Sequence, residues 1–232
     1  MSTDYSDDPK LTFAQVKLQD LLDDLVSNPD LDFLDITKNR DQVLTRYQAI
    51  FEPSRIPKLT KSEFESFLLY QNNHHWNSLH RVQKHMTEDM ELLREALGIL
   101  LNERIPVKDR LNQLRPERYW GEHSMVSHLG IPVLTAILLV IYPEKYGVWN
   151  NTSDAGLKIV RLWNPRWEQE SAGDVYIEMN KLYLQIRDYL NIDLWTLDAL
   201  WWVIKKRAEE DKPNALRTEL PKAQRPSKKI LR

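Results

Sequence analysis

The chain has no cysteine in 232 residues. That excludes disulfides, thiolate nucleophiles and cysteine zinc sites, and fits a cytoplasmic protein. Glycine is scarce, with six residues, and no uninterrupted apolar run approaches the roughly 18 residues that cross a bilayer. The first ten residues, MSTDYSDDPK, lack the basic-then-apolar order of a secretory leader. Net charge is only −2, without the basic excess common in nucleic-acid binders. What is present is apolar: 42% hydrophobic residues and eight tryptophans provide for a packed core. Charge is unevenly spread. Aspartates 4, 7, 8, 20, 23, 24, 30, 32 and 35 crowd the first 35 positions, whereas Arg217, Lys222, Arg225, Lys228, Lys229 and Arg232 face only Glu219 in the last twenty.

Apolar periodicity is helical almost throughout. Thr12 and Gln15 read as a capping box, with Leu11 and Val16 as a hydrophobic staple, and predict a helix to about Asn28. Val43, Leu44, Tyr47, Ile50 and Phe51 predict a second over 40–51. The two prolines between Glu52 and Leu59 mark a connector, so residues 1–58 are expected to form a helical extension, 59–210 the main α domain and 211–232 a basic tail. Thr60 with Glu63 forms another capping box and predicts a helix over 61–72. Helices are further expected over 87–102, 106–114 and 132–142, from one of Asn151 to Asp154 onward, over 172–190 and after Asp193. Val133 to Ile141 could equally be a buried strand, but no second strand-like segment exists to pair with it.

Asn72-Asn73-His74-His75-Trp76, followed by His80, Arg81 and His85, is the most unusual run. His75, His80 and His85 are each five apart, which turns successive rings away from one another on a helix, so no metal or other cofactor is expected from the spacing. Two roles remain open for the run. It is either a polar loop anchored by Trp76 and Leu79, or a nucleic-acid surface in which Asn73 and His74 meet base edges, Arg81 meets phosphate or guanine and Trp76 stacks on a base.

In Leu129-Gly130-Ile131-Pro132-Val133-Leu134-Thr135-Ala136, Ser124 to Leu129 can end one helix, Gly130 can take a positive φ and Pro132 suits the first turn of the next. Together with the following apolar run and Lys145-Tyr146-Gly147-Val148-Trp149-Asn150, this resembles the helix-hairpin-helix segment of the base-excision DNA glycosylase superfamily. The resemblance implies an all-α glycosylase-like domain in which Leu129, Gly130, Ile131, Thr135 and Ala136 present the chain to a DNA phosphate. It also implies that Trp149, Asn150 and Asn151 line a pocket for a flipped or modified base. Pro132 replaces a family glycine, Leu134 stands at the lysine of the bifunctional members, and the loop has no aspartate before Asp154. A leucine forms no Schiff base and an amide is no carboxylate base, so no catalytic residue is assigned. Asn72 to Arg81, Lys145 to Ser153 and Leu197 to Trp202 are also similar to an incompletely characterised domain of bacterial restriction and defence proteins. Three functions follow as expectations. The first is a DNA-binding module without glycosylase catalysis. The second is a divergent glycosylase or lyase using Asp154, or Glu122 with His123. The third is an interaction subunit of a larger complex; none involves a membrane.

Overall fold

The computed structural model describes residues 8–115 and 124–210. Among them it is all helical, with no strand, and no helix is long and apolar enough to cross a membrane. The basic tail, Tyr119, Trp120, Glu122 and His123 lie outside the described residues.

Helix α1 (Pro9–Ser27) starts earlier than Thr12, because the Asp8 carboxylate accepts the Lys10 N–H at 2.8 Å and Pro9 begins the first turn. Its core face is Leu11, Ala14, Leu18, Leu21 and Leu25, while Val16 points outward and staples nothing. Helix α2 (Leu31–Phe51) is nearly twice as long as the periodicity of 40–51 predicts. Asp30 caps it by accepting the Phe33 N–H at 3.0 Å, and Phe33 and Ile36 carry the buried stripe through a stretch otherwise rich in aspartate.

Helix α3 (Lys61–Leu68) has the reciprocal Thr60–Glu63 capping box in full. It stops at Leu69, whose extended backbone separates it from the single turn α4 (Tyr70–Asn73), so the predicted helix over 61–72 is broken. A second single turn, α5 (Gln83–Met86), precedes α6 (Met90–Leu100), which is capped by Asp89 rather than Thr87. Then follow α7 (Val107–Leu114), α8 (Ile131–Ile141), α9 (Asn151–Ile159), α10 (Ala172–Leu190) and α11 (Leu194–Glu210). α8 is buried on nearly every side, which explains a run apolar enough to read as a strand.

One core joins the first two helices to the rest. α2 packs against α8 and α11, and α1 against α10 and α11. Tyr47 and Phe51 of α2 interlock with Phe64 and Phe67 of α3 at centroid distances of 5.1 to 6.3 Å, mostly edge to face. Charge fastens the outer side: Lys206 on α11 pairs with Asp30 at 2.9 Å and Asp32 at 3.1 Å, Arg207 with Asp24 at 2.6 Å, and Arg40 with Asp193 at 2.7 Å.

Candidate nucleic-acid interface

The segment entering α8 departs from the expected hairpin. Gly130 has φ −84° and ψ 166°, extended backbone open to any residue, and the left-handed conformation falls instead on His128, at φ 63°. Residues 124–130 are turns and bends, not the end of a helix. Gly130 is the cap residue of α8, half-buried, and no side chain caps that end. A Cβ there would meet only Pro132 Cδ at 3.5 Å and the His128 carbonyl oxygen at 4.0 Å, so glycine is not required sterically.

The neighbouring residues expected to touch DNA are interior. Leu129, Ile131, Thr135 and Ala136 are all buried. Thr135 holds the following loop instead: its hydroxyl donates to the Ile131 carbonyl at 2.8 Å and accepts the Trp149 N–H at 3.0 Å. A threonine mid-helix that bonds back to the preceding turn and receives a loop amide has no capacity left for phosphate. Leu134, at the position of the family lysine, is wholly buried.

The loop from Lys145 to Asn150 is tied down from two more sides. The Asn180 amide donates to the Lys145 carbonyl at 2.9 Å and accepts the Gly147 N–H at 2.8 Å, and the Tyr176 hydroxyl donates to the Gly147 carbonyl at 2.7 Å. A Cβ on Gly147 would sit 2.5 Å from the Tyr183 ring, so the close approach of loop to α10 requires glycine. Trp149 is 4% exposed, and its indole N–H donates to Asp154 at 2.7 Å. Asn150 caps α9 by accepting the Thr152 and Ser153 N–H groups at 2.7 and 3.0 Å, and Ser153 returns the bond to the Asn150 N–H at 2.9 Å. Only Asn151, first in α9, is exposed. The three residues expected to line a base pocket therefore serve as core, cap and surface, and the polar groups of Trp149 and Asn150 find their partners locally.

The Asn73–Trp76 run is likewise a built turn. Asn73 is fully buried; its side-chain oxygen accepts the His75 and Trp76 N–H groups at 2.8 and 2.7 Å, and its amide donates to the Phe67 carbonyl at 3.0 Å. His74 takes φ 53° to end α4 and lies 3.5 Å from Asp35. Trp76 is 5% exposed, stacked on His75 at 4.8 Å and set edge-on to Trp195 at 5.4 Å. It cannot stack on a base. Of this run's expected contacts, Arg81 alone is exposed.

Sequence reasoning missed a buried His75–Asp198 pair. His75 Nε2 lies 3.1 Å from Asp198 Oδ2, which also accepts the Trp76 indole N–H at 2.9 Å. The imidazole makes no directed hydrogen bond to the carboxylate, so the contact is electrostatic, and Asp198 Oδ1 has no hydrogen-bond partner among the described residues. Burial pushes the Asp198 carboxyl above the usual aspartate range, and the same burial pushes His75 below the usual histidine range. The low-dielectric surroundings disfavour the charged form of each group. Alternation of histidine and tryptophan with the later Leu197-Asp198-Ala199 was the only trace of it in the sequence.

No family model, curated protein or solved structure matches this chain.

Proposed function

We propose that this chain is a DNA-binding module that meets phosphate at the start of α8 and carries no glycosylase chemistry. The observation that supports it is the start of that helix. An eleven-residue helix begins at a half-buried glycine with no side-chain cap, so no carboxylate or hydroxyl of the cap residue is set against the positive end of its dipole. His128 and His85 lie beside it in ring contact, and Arg81 and Lys84 are exposed on the segment that carries His85. A base pocket made of Trp76, Trp149 and Asn150 is not part of this proposal, since the two indoles serve the interior and Asn150 caps α9. Asp154, the candidate acid or base, is engaged by Trp149.

Gly130→Asp tests the proposal cleanly. Aspartate is a favoured cap residue, the backbone there suits it and the space is open, so the variant should fold at least as well as wild type. Its carboxylate would nevertheless repel phosphate. Duplex binding that falls steeply with salt in wild type and is lost in Gly130→Asp supports the proposal; binding unchanged by the substitution, or absent at low salt, overturns it.

A second function, docking of another protein, is favoured by a separate observation. Of the eight large hydrophobic side chains exposed among the described residues, Phe13, Val16, Val26, Leu31 and Leu34 all belong to α1 or α2. A complex weakened by Leu31→Asp together with Leu34→Asp, with DNA binding absent, would favour this function over the first.

A further inference from the structure

We propose that the outer side of α1 and the end of α9 form a surface for single-stranded nucleic acid, distinct from the phosphate contact at the start of α8. Phe13 on α1 is 40% exposed, and the Arg161 guanidinium carbon lies over its ring, 5.0 Å from the centroid. Lys158, in the last turn of α9, sets its ammonium over the Trp163 ring at 4.5 Å. On α1, Lys10 stands three residues before Phe13 and Lys17 four after it, so the three side chains share one side of the helix. All four cations are exposed. The contact between Arg161 and Phe13 brings the two sets of charge, far apart in the chain, onto one face.

These cations are not spent on ion pairs. Among the described residues, none of Lys10, Lys17, Lys158 and Arg161 has a carboxylate within ion-pair distance. A guanidinium that lies over a ring keeps the donors on its edge for a phosphate, and its flat face extends the aromatic surface on which a base can stack. Arg161 is kept there on a left-handed backbone, φ 63°, which residues with a β-carbon seldom adopt. A single strand suits this face better than a duplex, because only an unpaired base can leave its neighbours and lie on a protein ring. An anionic bilayer suits it less, since it would also meet Asp20 and Asp23, exposed on α1 beyond Lys17.

Binding of a labelled oligothymidylate to the full chain, followed by fluorescence anisotropy across a salt series, tests it. Arg161→Gly removes the guanidinium and relieves the left-handed backbone, so this variant should melt no lower than wild type. Phe13→Ala changes an exposed helical position and should also fold. The expected result is that each of the two weakens binding roughly tenfold, and that Lys10→Gln together with Lys17→Gln lowers the slope of log affinity against log salt by about 1.4. Gly130→Asp should leave single-strand binding unchanged, which separates this face from the start of α8. Wild type that does not hold the single strand at low salt overturns the proposal. So does binding that stays undiminished in Arg161→Gly and in Phe13→Ala, or that is lost in Gly130→Asp alone, which would place the strand at α8. Tighter binding to vesicles of anionic lipid than to the oligonucleotide, weakened by the same substitutions, would assign the face to a membrane and overturn it as well.

Discussion

Asp198 is one carboxylate that two neighbours depend on. Asp198→Ala would leave the Trp76 indole N–H and His75 unpaired in the interior, and breaking a buried pair in this way costs about 3–5 kcal/mol. Urea unfolding followed by tryptophan fluorescence measures it, and a loss below about 1 kcal/mol would mean that packing alone holds the turn. The pH dependence of the pair has two opposed parts. His75, depressed, loses stability as pH falls below the ordinary histidine value of 6.5, because the unfolded chain then binds the extra proton. Asp198, raised, gains stability as pH falls toward the ordinary aspartate value of 3.8, because the folded state binds the proton first. The two parts oppose each other between those values. Lys206 behaves differently: its hydrogen bonds to Asp30 and then Asp32 push it up to about 12. The stability it contributes is present below its ordinary 10.5 and disappears as pH rises through about 12. Lys206→Met should flatten that alkaline loss in a series of denaturation curves, an effect small in size because the ammonium is exposed.

At the level of the element, the caps show how much is local. Thr60–Glu63 and Asn150–Ser153 each close a helix start within four residues; Thr60 stands out in the sequence as a helix starter, whereas α9 is capped by Asn150 and not by one of Asn151 to Asp154 as expected. Asn150→Ala should cost about 1 kcal/mol, whereas Asn150→Asp should cost little, since either residue accepts the two amide protons and an anion suits the helix start. Thermal melts of the two variants separate a capping role from one in a ligand pocket, for which both changes would leave stability untouched. Packing between elements is less forgiving. A Cβ on Gly173 would lie 2.1 Å from the Lys108 carbonyl oxygen, so Gly173→Ala must push α10 away from α7. Overpacking of this kind costs about 1–3 kcal/mol, to be read from the denaturation midpoint. Nothing near Gly173 in the chain announces that contact, because Lys108 and Asn112 are more than sixty residues earlier.

Across the whole molecule, α1 and α2 belong to the core that the later helices complete. Tyr47 and Phe51 are fully buried, the Trp195 indole N–H donates to the Ile36 carbonyl at 3.0 Å, and three sets of ion pairs join α1, α2 and the turn between them to α11 and the residue before it. Removing residues 1–58 would strip one wall from Phe64, Phe67 and Trp195. The shortened chain should lose its cooperative urea transition and bind a hydrophobic dye; a truncated form that unfolds cooperatively at the same midpoint would show that the core closes without the arm.

The sequence by itself determined the helical class, most helix positions and the interior character of α8, because those depend on neighbours three or four residues away and on the total of apolar side chains. It also carried two capping residues, Thr60 and Asp193, whose bonds close within a turn, but not Asp8, Asp89 or Asn150. What only the tertiary structure decided is which polar residues face out. Asn73, Trp76, Thr135 and Trp149 have the chemistry of a nucleic-acid surface, and that chemistry is equally suited to satisfying buried backbone. The choice between the two depends on contacts across long stretches of chain, such as Trp76 with Asp198 or Thr135 with Trp149. The meeting of His85 with His128 was hidden for the same reason: spacing along a helix reports only local pairs, and this one is made where the chain returns.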